Sequence, residues 1–410
     1  MKQKKRYLNL FIPLLLFGYM NIFAQPERAI LFIIDGISWK APQKIELPNL
    51  NKLIQEGTYI KKSYTVVPYH PTIGNYAKRF TCSFPNPVLQ SGTLFITDSV
   101  KMAQQIFWEK GLKTAHIVNS SAYSSINDHY NFSIMKPGDS DENVIKYALR
   151  LLRDEDIRFM RLHLQKLNTK GYMLSFEYNP SNPNQKWTDK SAPYFRNIWG
   201  KGSPYIKQLM IADSLVGVFI TELKKMDKWE NTLLFVTGDN GHSDTGWHPF
   251  LDEDAWACPL IIIGPGIAKG RKLEYAEHTD IMPTICNFMG LSIPNPGEGS
   301  GRVLNEILDY YNETTKEANP KYLLKFNKQI KQYNVLKSKL ILASQKDSFL
   351  GEILTGLENK YLTPEPFYGV DRYLEWSSAG SVQHLIEANQ KVLDKMQKAL
   401  DESPINKKQN

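Results

Sequence analysis

The sequence predicts an α/β protein built on a doubly wound, mainly parallel sheet with helices on both faces and a helical appendage at its C-terminus. Two short apolar runs carry the prediction. Ala29 to Ile34 leads into Asp35-Gly36, and Thr232 to Thr237 leads into Gly238-Asp239-Asn240-Gly241-His242. Runs of this length, closed by glycine, suit strands buried on both faces of a parallel sheet. Between and after them, helical periods alternate with apolar stretches, the pattern of βαβ units. Ligands of such sheets bind beyond the carboxyl ends of the strands. Two aspartates delivered there from distant parts of the chain suggest a shared metal site, although each could equally cap a following helix.

Before the first strand, Lys2, Lys4, Lys5 and Arg6 precede a mostly apolar stretch from Leu8 to Phe23, and Ala24-Gln25 offers a cleavage point. This reads as a secretory signal peptide over 1–24, which implies a periplasmic or secreted protein without a stable membrane anchor. Those four cations account for half of the formal net charge of +8. The remainder gives no warrant for nucleic-acid binding. An apolar fraction of 42% with 12% aromatic residues indicates a folded chain with a substantial core. Its three cysteines, Cys82, Cys258 and Cys286, are too few for a disulfide framework; they form one bridge or serve as small buried side chains.

Along the chain, Leu47 to Gly57 predicts a helix with Pro48 near its first turn and Gly57 just past its end. Ser99 to Lys110 predicts another, capped by Asp98, and Lys113 to Val118 a strand. Asn143 to Leu167 is charged and helical in period, and Met173 to Tyr178 suits a strand. Asn179 to Pro204, rich in Pro, Asn and aromatic residues, reads as a long loop or insertion. Its aromatics, Trp187, Tyr194, Phe195 and Trp199, with Tyr205 beyond, either pack that loop down or form a lid over a ring-bearing substrate. Ile206 to Met226 is helical, Pro259 to Ile263 is a strand closed by Gly264-Pro265-Gly266, and Asp280 to Thr284 opens a helix. The α/β unit is expected over 25–305. Beyond it, Lys321 to Leu342 and Ser381 to Leu400 are amphipathic helices of a region 306–410 that ends in a polar tail.

The order of motifs resembles the alkaline phosphatase superfamily, which includes sulfatases and nucleotide pyrophosphatase/phosphodiesterases. The resemblance rests on Asp35-Gly36, Pro48-Asn49-Leu50 through Gly57, Thr237-Gly238-Asp239-Asn240-Gly241, the strand before Gly264-Pro265-Gly266, and Asp280-Ile281-Met282-Pro283-Thr284. It covers about residues 28 to 305. In the relatives the nucleophile lies nine residues before the threonine of a Thr-Gly-like turn, here Thr81-Cys82-Ser83-Phe84-Pro85, which selects Thr72 over Thr65. Asn75 then matches an asparagine that holds an oxygen of the transferring group. The Cys-x-Pro-x-Arg segment of sulfatases is absent, which favours phosphate over sulfate esters.

By the same resemblance, one divalent ion, zinc or calcium, takes Asp35, Thr72, Asp239 and Asn240. A second ion would need an Asp-x-x-x-His pair and a later histidine; the pair is occupied by Asn168 and Tyr172, and the later histidine is His248. An amide and a phenol bind zinc poorly, so one ion is expected rather than two. His242 and His278 are further candidate ligands, and His70, His116, His129, His163 and His384 are assigned structural or exposed roles. The resulting expectation is a metal-dependent hydrolase of phosphate monoesters or diesters. Thr72 is the nucleophile, Asn75 and His248 assist, and the substrate is a small molecule, glycan or nucleotide phosphoester. A catalytically silent binding protein and a sulfatase-like hydrolase are the alternatives.

Overall fold

The structure is a computed structural model describing residues 25–65, 88–90, 93–95, 101–249, 251–296, 301–311, 321–361 and 382–403. The expected signal peptide, Thr72, Asn75 and Cys82 lie outside the described residues. The sheet has eight strands: β1 (Arg28–Ile34), β2 (Thr58–Tyr64), β3 (Lys113–Val118), β4 (Phe132–Met135), β5 (Ile157–Leu164), β6 (Thr232–Thr237), β7 (Ala257–Ile263) and β8 (Arg271–Glu277). Their spatial order is β8-β2-β7-β6-β1-β5-β3-β4. β1 pairs in parallel with both β6 and β5, and β5-β3-β4 continue in parallel. β7 is antiparallel to both of its neighbours, β6 and β2, while β8 runs parallel to β2. The strand that the sequence placed at Pro259 to Ile263 is therefore the reversed member of an otherwise parallel sheet.

Two helical layers cover the sheet. On one face, α1 (Pro48–Glu56), α3 (Asp141–Asp154) and α5 (Pro204–Lys225) pack against Ile30, Phe32, Ile34, Leu162 and Val236. On the other, α2 (Ala103–Glu109) and α6 (Ile281–Phe288) pack against Leu31, Ile33, Phe159 and Phe235. Between α3 and α5, α4 (Lys166–Leu174) follows β5 directly. Local signals account for the helix ends. Ser140 caps α3 by accepting from the Asn143 amide at 3.2 Å, with Asp141 and Glu142 in its first turn. Ser203 does the same for α5, ahead of Pro204, and Lys224-Lys225 close its last turn.

One stretch departs from the sequence prediction. The helix expected to run from Asn143 to Leu167 stops at Asp154, and residues 157–164 form the strand between β1 and β3. Arg158, Arg161 and His163 imitate the polar face of an amphipathic helix. Arg161 and His163 are in fact fully buried and hydrogen-bonded, which is how a strand can carry charge inside a sheet. Likewise Met173 to Tyr178 is the end of α4 and a turn, with a small hairpin beginning at Tyr178.

The C-terminal region consists of α7 (Tyr322–Ser344), α8 (Ser348–Tyr361) and α9 (Val382–Glu402). Leu323, Phe326, Ile330 and Tyr333 of α7 share a cluster with Leu385, Leu393 and Met396 of α9, with Tyr64 and Ala257 of the sheet, and with Trp256 just before β7. The Asn327 amide donates to the Thr65 carbonyl at 2.7 Å, tying α7 to the end of β2. No helix among the described residues is long and apolar enough to cross a membrane.

Candidate metal centre

Parallel pairing brings the carboxyl ends of β1, β5 and β6 side by side, so Asp35, Asn168 and Asp239 emerge at one edge. Gly36 adopts φ +70°, a conformation natural for glycine, and its amide donates to Asp239 Oδ1 at 3.2 Å. Tyr205 of α5 supports the turn: its hydroxyl donates to the Gly36 carbonyl at 2.9 Å and accepts from the Ser38 amide at 3.0 Å.

Among the described residues, Asp35, His163 and Asp239 offer ligand atoms that all lie within 4.8 Å of one another. The three side chains are fully buried. Burial first, and then the like charge of Asp239, push the Asp35 carboxyl well above its ordinary range, while the Tyr123 hydroxyl and Arg161 act in the opposite direction. Two buried carboxylates this close repel each other unless a cation or a shared proton intervenes. Asp35 Oδ1 and both amide atoms of Asn240 are buried and make no hydrogen bond among the described residues. Buried polar atoms normally find partners, so an oxygen-lined cluster of orphans fits a bound cation. Carboxylates with an amide oxygen suit a hard divalent ion.

Asn168, Tyr172 and His248, which the resemblance matches to the ligand positions of a second ion, come next. Asn168 Oδ1 and His242 Nδ1 are buried and make no hydrogen bond among the described residues, and both lie about 3 Å from where a Gly36 Cβ would be. The His242 Nε2 accepts from the Trp247 amide at 2.8 Å, and its ring stacks on Tyr205 with centroids 5.2 Å apart. Burial, then the proximity of His248, lower its pKa to about 3, so the ring is neutral at physiological pH. Tyr172 points into an aromatic group with Trp247 (4.0 Å), Phe176 (5.2 Å) and Trp187 (5.4 Å). His248 stacks on Trp247 at 3.9 Å. This side of the carboxylate pair is thus lined by a neutral imidazole, an amide and aromatic rings.

The structure brings Asp35 and Asp239 together, with Asn240 next in the chain and His242 and His248 alongside. His278 Nε2 lies 3.1 Å from Cys258 Sγ, and the Cys258 and Cys286 side chains are both buried. Of the loop aromatics, Trp199 donates to Asp244 at 2.7 Å and packs edge-on against Tyr205 at 5.7 Å, which anchors the loop. His163, to which the sequence gives a structural or exposed role, also stands at this centre. Its Nε2 lies 3.0 Å from Asp35 Oδ2. The available signal was its position at the end of a strand misread as helix.

Comparison with known proteins follows the same lines. The sulfatase family model matches residues 94–291. The GPI ethanolamine phosphate transferase 2 of Schizosaccharomyces pombe is 26% identical over 203 residues, covering 43% of this chain and 26% of that protein. The N-acetylglucosamine-6-O-sulfatase of Bacteroides thetaiotaomicron is 24% identical over 186 residues, 40% of this chain and 33% of that one. The matches thus span about a third or less of those curated relatives. Among solved structures, the phosphonate monoester hydrolase of Silicibacter pomeroyi superposes with a TM-score of 0.54 at 17% identity, over 71% of this chain and 78% of that chain.

Proposed function

We propose a function from one premise, that the chain is a member of the alkaline phosphatase superfamily with a sulfatase-like fold. The protein is an exported, metal-dependent hydrolase of phosphate or sulfate esters, with phosphate monoesters or diesters its first substrates. Asp35 and Asp239, converging, buried and mutually repulsive, carry this reading. With Asn240 they would hold one divalent cation. When bound, that cation supplies a Lewis acid that balances the buried charge and favours ionisation of a hydroxyl.

Thr72 is the attacking residue in this reading. Its oxygen forms a bond to the phosphorus or sulfur while the ester's alcohol leaves with its oxygen, and water then hydrolyses the threonyl ester. The Asn75 amide donates to a non-bridging oxygen, and His248 supplies a proton or a hydrogen bond to the leaving alcohol. Relatives that transfer ethanolamine phosphate or remove a sugar sulfate are consistent with either ester class.

A second reading, a binding protein without turnover, is supported by the packing of Tyr172 against Trp247, at a position where, by the resemblance, a second ion would need an imidazole, as it would need a carboxylate in place of Asn168. Metal analysis with hydrolysis of p-nitrophenyl phosphate, its phosphodiester and its sulfate decides between them. Wild type should bind a divalent cation and cleave at least one ester, and Thr72→Ala should abolish turnover while retaining the metal. Equal rates for the two proteins would overturn the role of Thr72. Bound metal with no turnover on any ester would favour the binding protein.

A further inference from the structure

Behind the carboxylate pair, a line of buried polar side chains leads away from the site through β5 and β3. Asp35 Oδ2 accepts from the Tyr123 hydroxyl at 3.1 Å and lies 3.0 Å from His163 Nε2. His163 Nδ1 lies 2.8 Å from Arg161 Nη2. The other terminal nitrogen, Nη1, meets His116 Nε2, whose ring partner Nδ1 is 3.0 Å from Asn127 Oδ1. Arg161 and His163 alternate on β5, so both point to the same face. Asp35, His116, Arg161 and His163 are all 0% exposed. The guanidinium carbon sits 4.5 Å above the Tyr123 ring, which packs it in place.

Arginine has donors and no acceptor. Each imidazole nitrogen facing Arg161 must therefore present a lone pair. That requirement places the His163 hydrogen on Nε2, where it donates to Asp35, and the His116 hydrogen on Nδ1, where it donates to Asn127. His163 Nε2 is close enough to the Asp35 and Asp239 oxygens to join them around a cation, but it carries a hydrogen rather than a lone pair.

We propose that Arg161 is a positioning residue that sets metal selectivity: by fixing the tautomer of His163 it excludes that imidazole from the coordination shell and keeps the donor set all-oxygen. His163 in turn holds Asp35 by Oδ2 and leaves Oδ1 for the cation, the role that partners behind a metal ligand commonly fill. This inference rests on the reading that Asp35 and Asp239 hold a divalent ion. Nitrogen donors favour zinc, and oxygen donors favour calcium or magnesium. Removing the guanidinium frees the His163 tautomer and should move the site toward zinc.

The test is isothermal titration of the metal-stripped full chain with zinc and with calcium, with near-UV circular dichroism to check folding. Arg161→Met should raise the zinc-to-calcium affinity ratio about tenfold or more, on the scale of effects from groups behind the ligands. The double variant Arg161→Met with His163→Gln should lose that gain. A ratio unchanged in folded Arg161→Met, or a gain that persists in the double variant, overturns the proposal; a purely structural Arg161 would not produce a gain that depends on His163. Should Arg161→Met fail to fold, His163 alone decides. His163→Gln keeps a donor to Asp35 and should bind both ions as wild type does, whereas His163→Leu should weaken both about 10- to 100-fold. Equal losses overturn the proposal. Wild type binding neither cation refutes the site reading itself, and this inference with it; wild type binding with indifferent variants refutes the inference alone.

Discussion

Gly171→Ala tests the geometry of the centre through the sign of its effect. In an unconstrained helix, replacing glycine by alanine stabilises by about 1 kcal/mol. Gly171 lies inside α4 (Lys166–Leu174), so propensity alone predicts a gain. In the folded protein, a Cβ there would stand 1.9 Å from His242 Nε2 and 2.6 Å from its Cε1. No rotamer relieves a methyl group, so the imidazole or the helix must shift. His242 is held by the Trp247 amide at 2.8 Å and by the stack on Tyr205. Overpacking of this kind costs about 1–3 kcal/mol. Displacing the ring strands the Trp247 amide, at about a further 1–3 kcal/mol. After the propensity gain is set against these losses, a net destabilisation of about 1–5 kcal/mol remains. Urea unfolding of the full chain should show a lower midpoint with an unchanged slope. Combining Gly171→Ala with His242→Ala should cost less than the sum of the two single losses, because the clash is then gone. A midpoint that rises for Gly171→Ala, or losses that simply add in the double variant, would falsify the packing of His242 against α4.

Tyr205→Phe removes the group that bridges the Gly36 carbonyl and the Ser38 amide. Stability should drop by about 1–3 kcal/mol in urea unfolding, with weaker cation binding by calorimetry; an unaltered cation affinity would detach α5 from the centre. Asn168→Asp with Tyr172→His places a carboxylate and an imidazole on α4, and elemental analysis should find an additional bound zinc per chain; no gain counts against the register of α4. Glu277 is raised to about 8, by burial first and then by the charge of Asp280. A carboxyl whose folded pKa exceeds its unfolded one stabilises fully below the unfolded value, and that contribution is lost as pH rises through about 8. Wild-type Tm should therefore fall from pH 5 to 8.5 relative to Glu277→Gln, which keeps an acceptor for the Leu323 amide. Parallel curves for the two proteins would refute the raised pKa.

Much of the α/β framework was legible because its signals are local. Pro48 at the start of α1, Ser203-Pro204 at the start of α5, and the apolar runs of β1 and β6 report their conformations within a few residues. Strand polarity was not legible: nothing in Ala257 to Ile263 distinguishes a reversed strand from a parallel one, because both faces are buried either way. β5 was misread for a stronger reason. Arg161 and His163 look like solvent-facing helix residues until their partners, brought together across β1, β3 and β5, are known.

The same division applies to the candidate centre. The sequence alone determined that Asp35 and Asp239 end buried strands, because an apolar run followed by glycine and a carboxylate specifies that placement locally. For Asn168 and Tyr172 the sequence supplies only an expectation, through the resemblance, that an amide and a phenol stand where a carboxylate and an imidazole would bind an ion. The tertiary structure decided which groups stand behind the ligands. A histidine 128 residues from Asp35 meets it because parallel pairing sets β1 beside β5. The tautomer of that histidine follows from an arginine two positions earlier on the same strand, a consequence of side-chain alternation and of a guanidinium that can only donate.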